Sequence, residues 1–175
     1  VCEETAAETE ALQNKGIVPG LAIVRIGQNP SDISYEKGAV KRSEMVGISA
    51  CVYEYAQDIS NEIFLEEFQK INADPNVHGI LLFRPLPEQI DEMAVLAAFD
   101  PQKDIDGVTS GNMAAIYADQ PGFAPCTAES VMTILRHYQI PMQGKKVVVV
   151  GRSLVIGKPV AMMLLRENAT VTVCH

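Results

Sequence analysis

The chain has 175 residues, 47% of them hydrophobic and 21% charged, with 14 Lys and Arg against 22 Asp and Glu and a formal net charge of −8. That composition excludes a disordered polymer, and the negative field excludes a generic nucleic-acid binder, which needs a cationic surface to release counterions from phosphates. No apolar run approaches the roughly 20 residues that span a bilayer, so neither nucleic acid nor membrane is expected as a partner.

The N-terminus, Val1-Cys2-Glu3-Glu4-Thr5, has no initiating Met and no basic segment followed by an apolar core. It reads as the trimmed start of a cytoplasmic protein. Cys2, Cys51, Cys126 and Cys174 lie far apart, which suits four reduced thiols better than zinc or a disulfide scaffold. His78, His137 and His175 show no ligand spacing either, and no metal is expected.

Elements alternate in type along the chain. Glu3 to Asn14, rich in Ala, Glu and Leu, predicts a helix; Pro19-Gly20 then opens the buried strand Leu21-Ala22-Ile23-Val24, ending near Gly27. Asn29-Pro30-Ser31-Asp32 is turn and cap chemistry for a helix from about Asp32 to Val46, stopped by Gly47. Ile48 to Tyr55 is strand-like, and Ser60 or Asn61 caps a helix carrying Ile63, Phe64, Phe68 and Ile71. His78-Gly79 leads into the strand Ile80 to Phe83, broken by Pro85-Leu86-Pro87. A helix over Glu88 to Phe99 follows, then a loop from Asp100 to Gly107 and a helix from Ala128 to Tyr138 with Thr127 as its cap. Last come a buried strand Val147 to Val150, a helix Pro159 to Asn168 and a strand Thr170 to Cys174.

Strands separated by helices of this length predict parallel βαβ units in an α/β fold. The loop Ala118 to Gly122 marks the domain boundary, giving residues 1–122 as one domain and 123–175 as the start of a second. Met132, Met162 and Met163 sit at helical apolar positions and are expected in the core.

Val147 to Pro159 carries the clearest chemistry. A β-branched strand runs into Gly151, turns through Arg152 and Ser153, and restarts as a helix carrying Gly157 and Pro159. Such a turn aims backbone N–H groups and a positive helix end at one spot, as dinucleotide phosphates require. It is an incomplete Gly-x-Gly-x-x-Gly, because Ser153 stands at the middle glycine, so a plain strand-to-helix turn stays open as the alternative. NAD sites usually carry an acid near the end of the second strand; Thr170 to His175 has none, and Arg152 supplies a cation, which favours NADP.

Val148 to Pro159, with Pro125-Cys126-Thr127 before it and Asn168 to His175 after it, closely resembles the methylenetetrahydrofolate dehydrogenase/methenyltetrahydrofolate cyclohydrolase family. Pro19-Gly20-Leu21-Ala22, Pro85-Leu86-Pro87 and Lys103-Asp104-Ile105-Asp106-Gly107 resemble further signatures of that family in the right order. The resemblance implies a folate-binding N-terminal domain, a Rossmann-like NADP-binding domain and substrate in the cleft, in a homodimer formed through the cofactor domain. It also implies a longer protein, and the 175-residue polypeptide alone is expected to lack a complete active site. The implied chemistry is hydride transfer from methylenetetrahydrofolate to NADP, then addition of water to the methenyl product, which needs a general acid/base.

In similar enzymes a Tyr-x-x-x-Lys helix places phenol and amine one turn apart. The resemblance puts Tyr35 on the Tyr, as the candidate catalytic and folate-orienting residue, and Ala39 on the Lys, while Lys37 and Lys41 point away on a regular helix. Where similar proteins carry Gln, two residues before Pro-Leu-Pro, this chain has Phe83, followed by Arg84 and Pro85; these three join Tyr35 on the implied folate side. Arg84 turned inward would add a fixed positive charge but no proton exchange near neutral pH. Asp106 corresponds to the family's pterin-binding carboxylate, and Cys126 reads as a strand-to-helix corner. On the cofactor side are Gly151, Arg152, Ser153, Gly157 and Pro159. The expectation is an NADP-dependent dehydrogenase of one-carbon metabolism with weak or absent cyclohydrolase activity. Its alternatives are a fully bifunctional enzyme and a catalytically silent folate- or nucleotide-binding module.

Overall fold

In the computed structural model, which describes all 175 residues, the apolar run Leu21 to Val24 lies in the middle strand of a parallel sheet. After helix α1 (Cys2–Gln13), strand β1 (Gly20–Ile26) passes through helix α2 (Pro30–Met45) to strand β2 (Ser49–Tyr55). Helix α3 (Asn61–Ala73) then returns the chain to strand β3 (Gly79–Leu82) on the other side of β1, giving the order β2-β1-β3. Ile23 stands in register with Val52 on one side and Leu81 on the other. Both faces of β1 are covered, so Ala22, Ile23 and Val24 are all buried and the strand reads as a continuous apolar run.

The caps follow side-chain chemistry. The Asn29 side chain accepts from Ser31 N–H at 2.9 Å with Pro30 in the first turn, and Ser60 accepts from Ile63 N–H. Phe64 and Phe68 are fully buried on α3, and Phe68 meets Phe99 edge to face at 5.2 Å. Helix α4 (Glu92–Ala98) begins later than the sequence predicts. Pro87 closes a turn with Ile90 N–H, and Asp91 caps the helix by accepting from Ala94 N–H at 3.1 Å, so residues 88–91 stay outside it. The Lys103 ammonium donates to the carbonyls of Asn72 and Asp74 at 2.7 Å each, closing the end of α3.

These elements form one compact unit, Val1–Lys103; Asp104–His175 forms a second. The two meet ahead of the loop 118–122, so residues 104–122 pack with the second unit. That unit opens with helix α5 (Ser110–Tyr117), capped by the Thr109 hydroxyl, which the sequence reading left unassigned. Helix α6 (Cys126–His137) and strand β4 (Lys146–Val150) follow, then helix α7 (Gly157–Arg166) and strand β5 (Thr170–Cys174). β4 and β5 pair in parallel, with Val148 opposite Thr172. Ala128 and Met132 of α6 pack with Val160, Met163 and Leu164 of α7 into the core, and Met162 stays partly exposed.

Two sequence expectations change here. β4 is buried on one face only: Val147 and Val149 turn to the core, whereas Val148 and Val150 are 61% and 84% exposed. Thr127 lies inside α6 instead of capping it. Pro125 holds the cap position without a side-chain hydrogen bond, and the carboxylate of Asp106 accepts from Cys126 N–H at 3.0 Å, doing from twenty residues away what Thr127 was expected to do.

Candidate functional site

In the first unit the candidate residues gather at the carboxyl ends of β1 and β3, where open parallel sheets hold ligands. Tyr35, in the first half of α2, is exposed, and its ring centroid lies 5.5 Å from that of Phe83 at a tilt of 57°. Phe83 follows directly on β3 and leads through Arg84 into a cis Arg84–Pro85 bond. The fold thus brings Tyr35 and Phe83 together from segments 48 positions apart, leaving an aromatic pair with solvent on one side. The Arg84 guanidinium pairs with Glu92 at the start of α4, its Nε 2.7 Å from Oε1. Its charge is therefore matched inside the unit. Ala39 lies one turn after Tyr35 on the same side of α2, and it places only a methyl group there.

In the second unit the loop Asp104 to Thr109 separates two acids that the sequence sets side by side. Asp104 is fully buried and accepts from Val108 N–H at 3.1 Å, Thr109 N–H at 2.8 Å and the Asn112 amide at 2.9 Å. Gly107 takes φ +59°, and a Cβ there would stand 2.4 Å from the Phe123 carbonyl, so the loop lies tight against the segment leading into α6. Asp106 is held at the positive end of α6 by its bond from Cys126 N–H, with the Cys126 thiol also in hydrogen-bonding reach, and its carboxylate keeps further lone pairs for other donors. Burial, and then the negative charge of Asp106, push the Cys126 thiol up to about 11. A thiol so protonated is no nucleophile near neutral pH.

The cofactor-type turn follows β4. Gly151 takes φ +118°, and a Cβ on Gly157 would stand 2.2 Å from the Gly151 carbonyl oxygen and 2.9 Å from Arg152 N. Only glycine lets the start of α7 approach that closely. Ser153, at the middle glycine of the generic pattern, accepts from Ile156 N–H at 3.1 Å and Gly157 N–H at 3.4 Å, so its hydroxyl caps α7. Pro159 is buried in the first turn of α7, where its missing N–H removes no helical bond. A cavity of about 800 Å³ runs from this turn, at Gly151, Arg152, Ser153 and His175, along the apolar face formed by β4 with Leu135 of α6 and Val160 and Leu164 of α7. Arg152 forms no ion pair. The sequence reading missed His175 as a cavity residue; its position at the end of β5, opposite the Gly151 turn, was the available signal.

Fold and site together define an α/β protein with a three-stranded parallel unit and a βαβ unit of dinucleotide-binding type. Residues 1–106 match the catalytic domain, and residues 125–175 the NAD(P)-binding domain, of tetrahydrofolate dehydrogenase/cyclohydrolase. The chain belongs to the tetrahydrofolate dehydrogenase/cyclohydrolase family. It is 48% identical over 176 residues to the bifunctional protein FolD of Alkaliphilus oremlandii, with 100% of this chain and 62% of that protein covered. It is 49% identical over 174 residues to the FolD protein of Carboxydothermus hydrogenoformans, covering 99% of this chain and 61% of the relative. The crystal structure of the bifunctional FolD enzyme from Campylobacter jejuni matches with a TM-score of 0.96 at 37% identity, over 99% of this chain and 62% of that one. That of the Trypanosoma brucei enzyme, complexed with NADP cofactor and inhibitor, matches with 0.93 at 32%, over 99% and 60%. The chain thus spans about 62% of the length of the relatives it matches. No helix is long and apolar enough to cross a membrane.

Proposed function

We propose that the protein oxidises methylenetetrahydrofolate with NADP and contributes little or no hydrolysis of the methenyl product. The observation that carries the reading is the Gly151–Gly157 contact in a chain of this family: the turn is packed too closely for any side chain, as a pyrophosphate cradle at a helix N-terminus needs. The residues present fit the cofactor. Gly151 N–H donates to the Cys174 carbonyl and Gly157 N–H to the Ser153 hydroxyl, so the backbone N–H groups of residues 152–155 in the turn between them would hold its phosphates, while Ser153 and Pro159 fix the first turn of α7 and Arg152 supplies the cation for a 2′-phosphate. NADP when bound accepts the hydride.

On the folate side, Tyr35 and Phe83 offer aromatic faces to a flat pterin, with Pro85 and Arg84 bounding them from the end of β3. The family resemblance assigns the pterin contact in the second unit to Asp106, whose carboxylate keeps lone pairs that could accept two N–H bonds. These residues bind and orient; none exchanges a proton at the one-carbon unit. Hydride loss from a methylene carbon needs orientation and a nearby acceptor, whereas hydration of the resulting cation needs a group that takes a proton from water. Ala39 supplies no such group, and the Arg84 guanidinium is both permanently charged and paired. A homodimeric assembly and a cytoplasmic location belong to the same proposal, supported by the family resemblance.

The test is turnover by the full-length protein. Reduced cofactor should appear with methylenetetrahydrofolate and NADP, more slowly with NAD, while methenyltetrahydrofolate decays at its uncatalysed rate. Absence of reduced cofactor at saturating folate and NADP would overturn the dehydrogenase reading, and enzyme-dependent methenyl decay would overturn the restriction to it.

A further inference from the structure

The first unit buries one charge that the proposed chemistry does not use. Arg25, in the run of apolar residues along β1, is only 3% exposed. Its guanidinium reaches three separate pieces of chain. Nε donates to Glu36 Oε2 of α2 at 2.7 Å, Nη2 pairs with Glu54 Oε2 of β2 at 3.2 Å, and Nη1 donates to the Gly27 carbonyl in the loop that leads to α2. Arg25 and Glu54 are register partners across the β1–β2 ladder, so that pair is set by sheet geometry. Glu36 is different: it hangs from a helix that otherwise rests on few large apolar contacts, Ser43 being the single buried residue of α2.

We propose that Arg25 is a positioning residue for Tyr35, acting through Glu36. This rests on the reading that Tyr35 meets the substrate. Tyr35 and Glu36 are successive helical residues, about 100° apart around the axis, so fixing one against the sheet fixes the direction of the other. A short polar helix face lets α2 roll; a bidirectional anchor of defined length at Glu36 does not. The planar fork matters as much as the charge, because three acceptors on three elements are spanned only by a group with donors on several sides. The ring contact between Tyr35 and Phe83 is the visible result of that setting, since it needs α2 at one rotation relative to the end of β3.

The test reads Tyr35 directly. 3-Fluorotyrosine is placed at position 35 of the full-length protein and its fluorine resonance recorded, with Phe83→Leu giving the position expected when the neighbouring ring is lost. Arg25→Lys keeps the charge but cannot span the three acceptors, and it should move the resonance toward the Phe83→Leu position. It should raise the KM for methylenetetrahydrofolate about tenfold, the order of one lost aromatic contact, with kcat changed less than twofold. Glu36→Gln keeps an acceptor for Nε and should leave the resonance at the wild-type position. If Arg25→Lys does not fold, Glu36→Ala, which leaves Arg25 with Glu54 and Gly27, should show the same shift. A wild-type resonance in Arg25→Lys or Glu36→Ala overturns the proposal, as does a shift in Glu36→Gln equal to that in Glu36→Ala. A protein without folate turnover sinks the dehydrogenase reading alone, because the fluorine resonance still decides whether Arg25 sets Tyr35.

Discussion

Replacing Gly157 by Ala separates a turn built for a ligand from a turn that is merely tight. The added Cβ would lie 2.2 Å from the Gly151 carbonyl oxygen, 2.6 Å from its carbon and 2.9 Å from Arg152 N, all backbone atoms that no rotamer change can move. Ordinary contact requires the turn to open by about 1 Å or more. Overpacking of that kind costs about 1–3 kcal/mol, which for a protein of this size lowers Tm by roughly 2–10 °C. The same opening moves the N–H groups that would face the cofactor phosphates, and a 1 Å misplacement is worth about 100-fold in turnover. Gly144→Ala is the control. Gly144 has φ +72° with nothing within 4 Å of its would-be Cβ, so its substitution costs about 1–2 kcal/mol of backbone strain without crowding any neighbour. Thermal unfolding and an NADP titration, run on both variants of the full-length protein, should give similar losses of Tm but weakened cofactor binding for Gly157→Ala alone. The reasoning is refuted if Gly157→Ala binds NADP like the wild type, or if Gly144→Ala weakens binding as much.

Further outcomes follow from the same contacts. Asp106→Ala removes both the acceptor for Cys126 N–H and the carboxylate, and should lower stability by about 1 kcal/mol while abolishing folate binding; Asp106→Asn keeps an acceptor and should lose the binding with little change in Tm, as calorimetry beside a folate titration checks. The Cys126 thiol, raised from 9.0 to about 11 although the residue is exposed, should react with iodoacetamide more slowly in the wild type than in Asp106→Asn; equal rates in a peptide-resolved labelling experiment exclude an effect of the neighbouring carboxylate. Because the folded state holds that proton more tightly than the unfolded chain, its contribution to stability is present below pH 9.0 and is lost as pH rises toward about 11, so wild type should lose its Tm advantage over Cys126→Ser across that window. Ala39→Lys should raise methenyl hydrolysis in the full-length protein, because it places an amine one turn from Tyr35 while Glu36 stays paired with Arg25; an unchanged rate contradicts the reading that Ala39 limits hydrolysis.

Local chemistry made most of the fold legible. Asn29-Pro30, Ser60 and Gly47 mark helix ends by the hydrogen bonds and dihedral angles their side chains permit, and the structure uses all three. The errors share a cause. Thr127 looked like a cap because its own side chain suits one, but Asp106 arrives from another loop and takes the N–H group first. Val148 and Val150 are exposed in these 175 residues, which span about 62% of the length of their relatives, so their exposure does not decide whether that face is covered in the whole protein. Ser110–Tyr117 lacks a strong apolar stripe, so its helix rests on the Thr109 cap and the buried Asn112, signals too short for periodicity to register.

The candidate site divides along the same line. Gly151, Gly157 and Pro159 were readable because a glycine or proline declares the backbone it permits. Arg25 was not, because nothing in an apolar strand announces that Glu36 and Glu54 will close around its one cation; without them a buried guanidinium would be prohibitively costly. Asp104 and Asp106 make the contrast sharpest. Two residues apart in one motif, they are chemically identical and indistinguishable by spacing. Folding fills Asp104 with donors from its own loop and from Asn112, whereas Asp106 receives a single N–H at the edge of α6. A carboxylate saturated inside the protein can only hold the loop in place, and one left with open lone pairs at a helix N-terminus can still receive a ligand. Which of the two could receive a ligand therefore depends on where the unused lone pairs end up, a property of the folded loop and not of either residue.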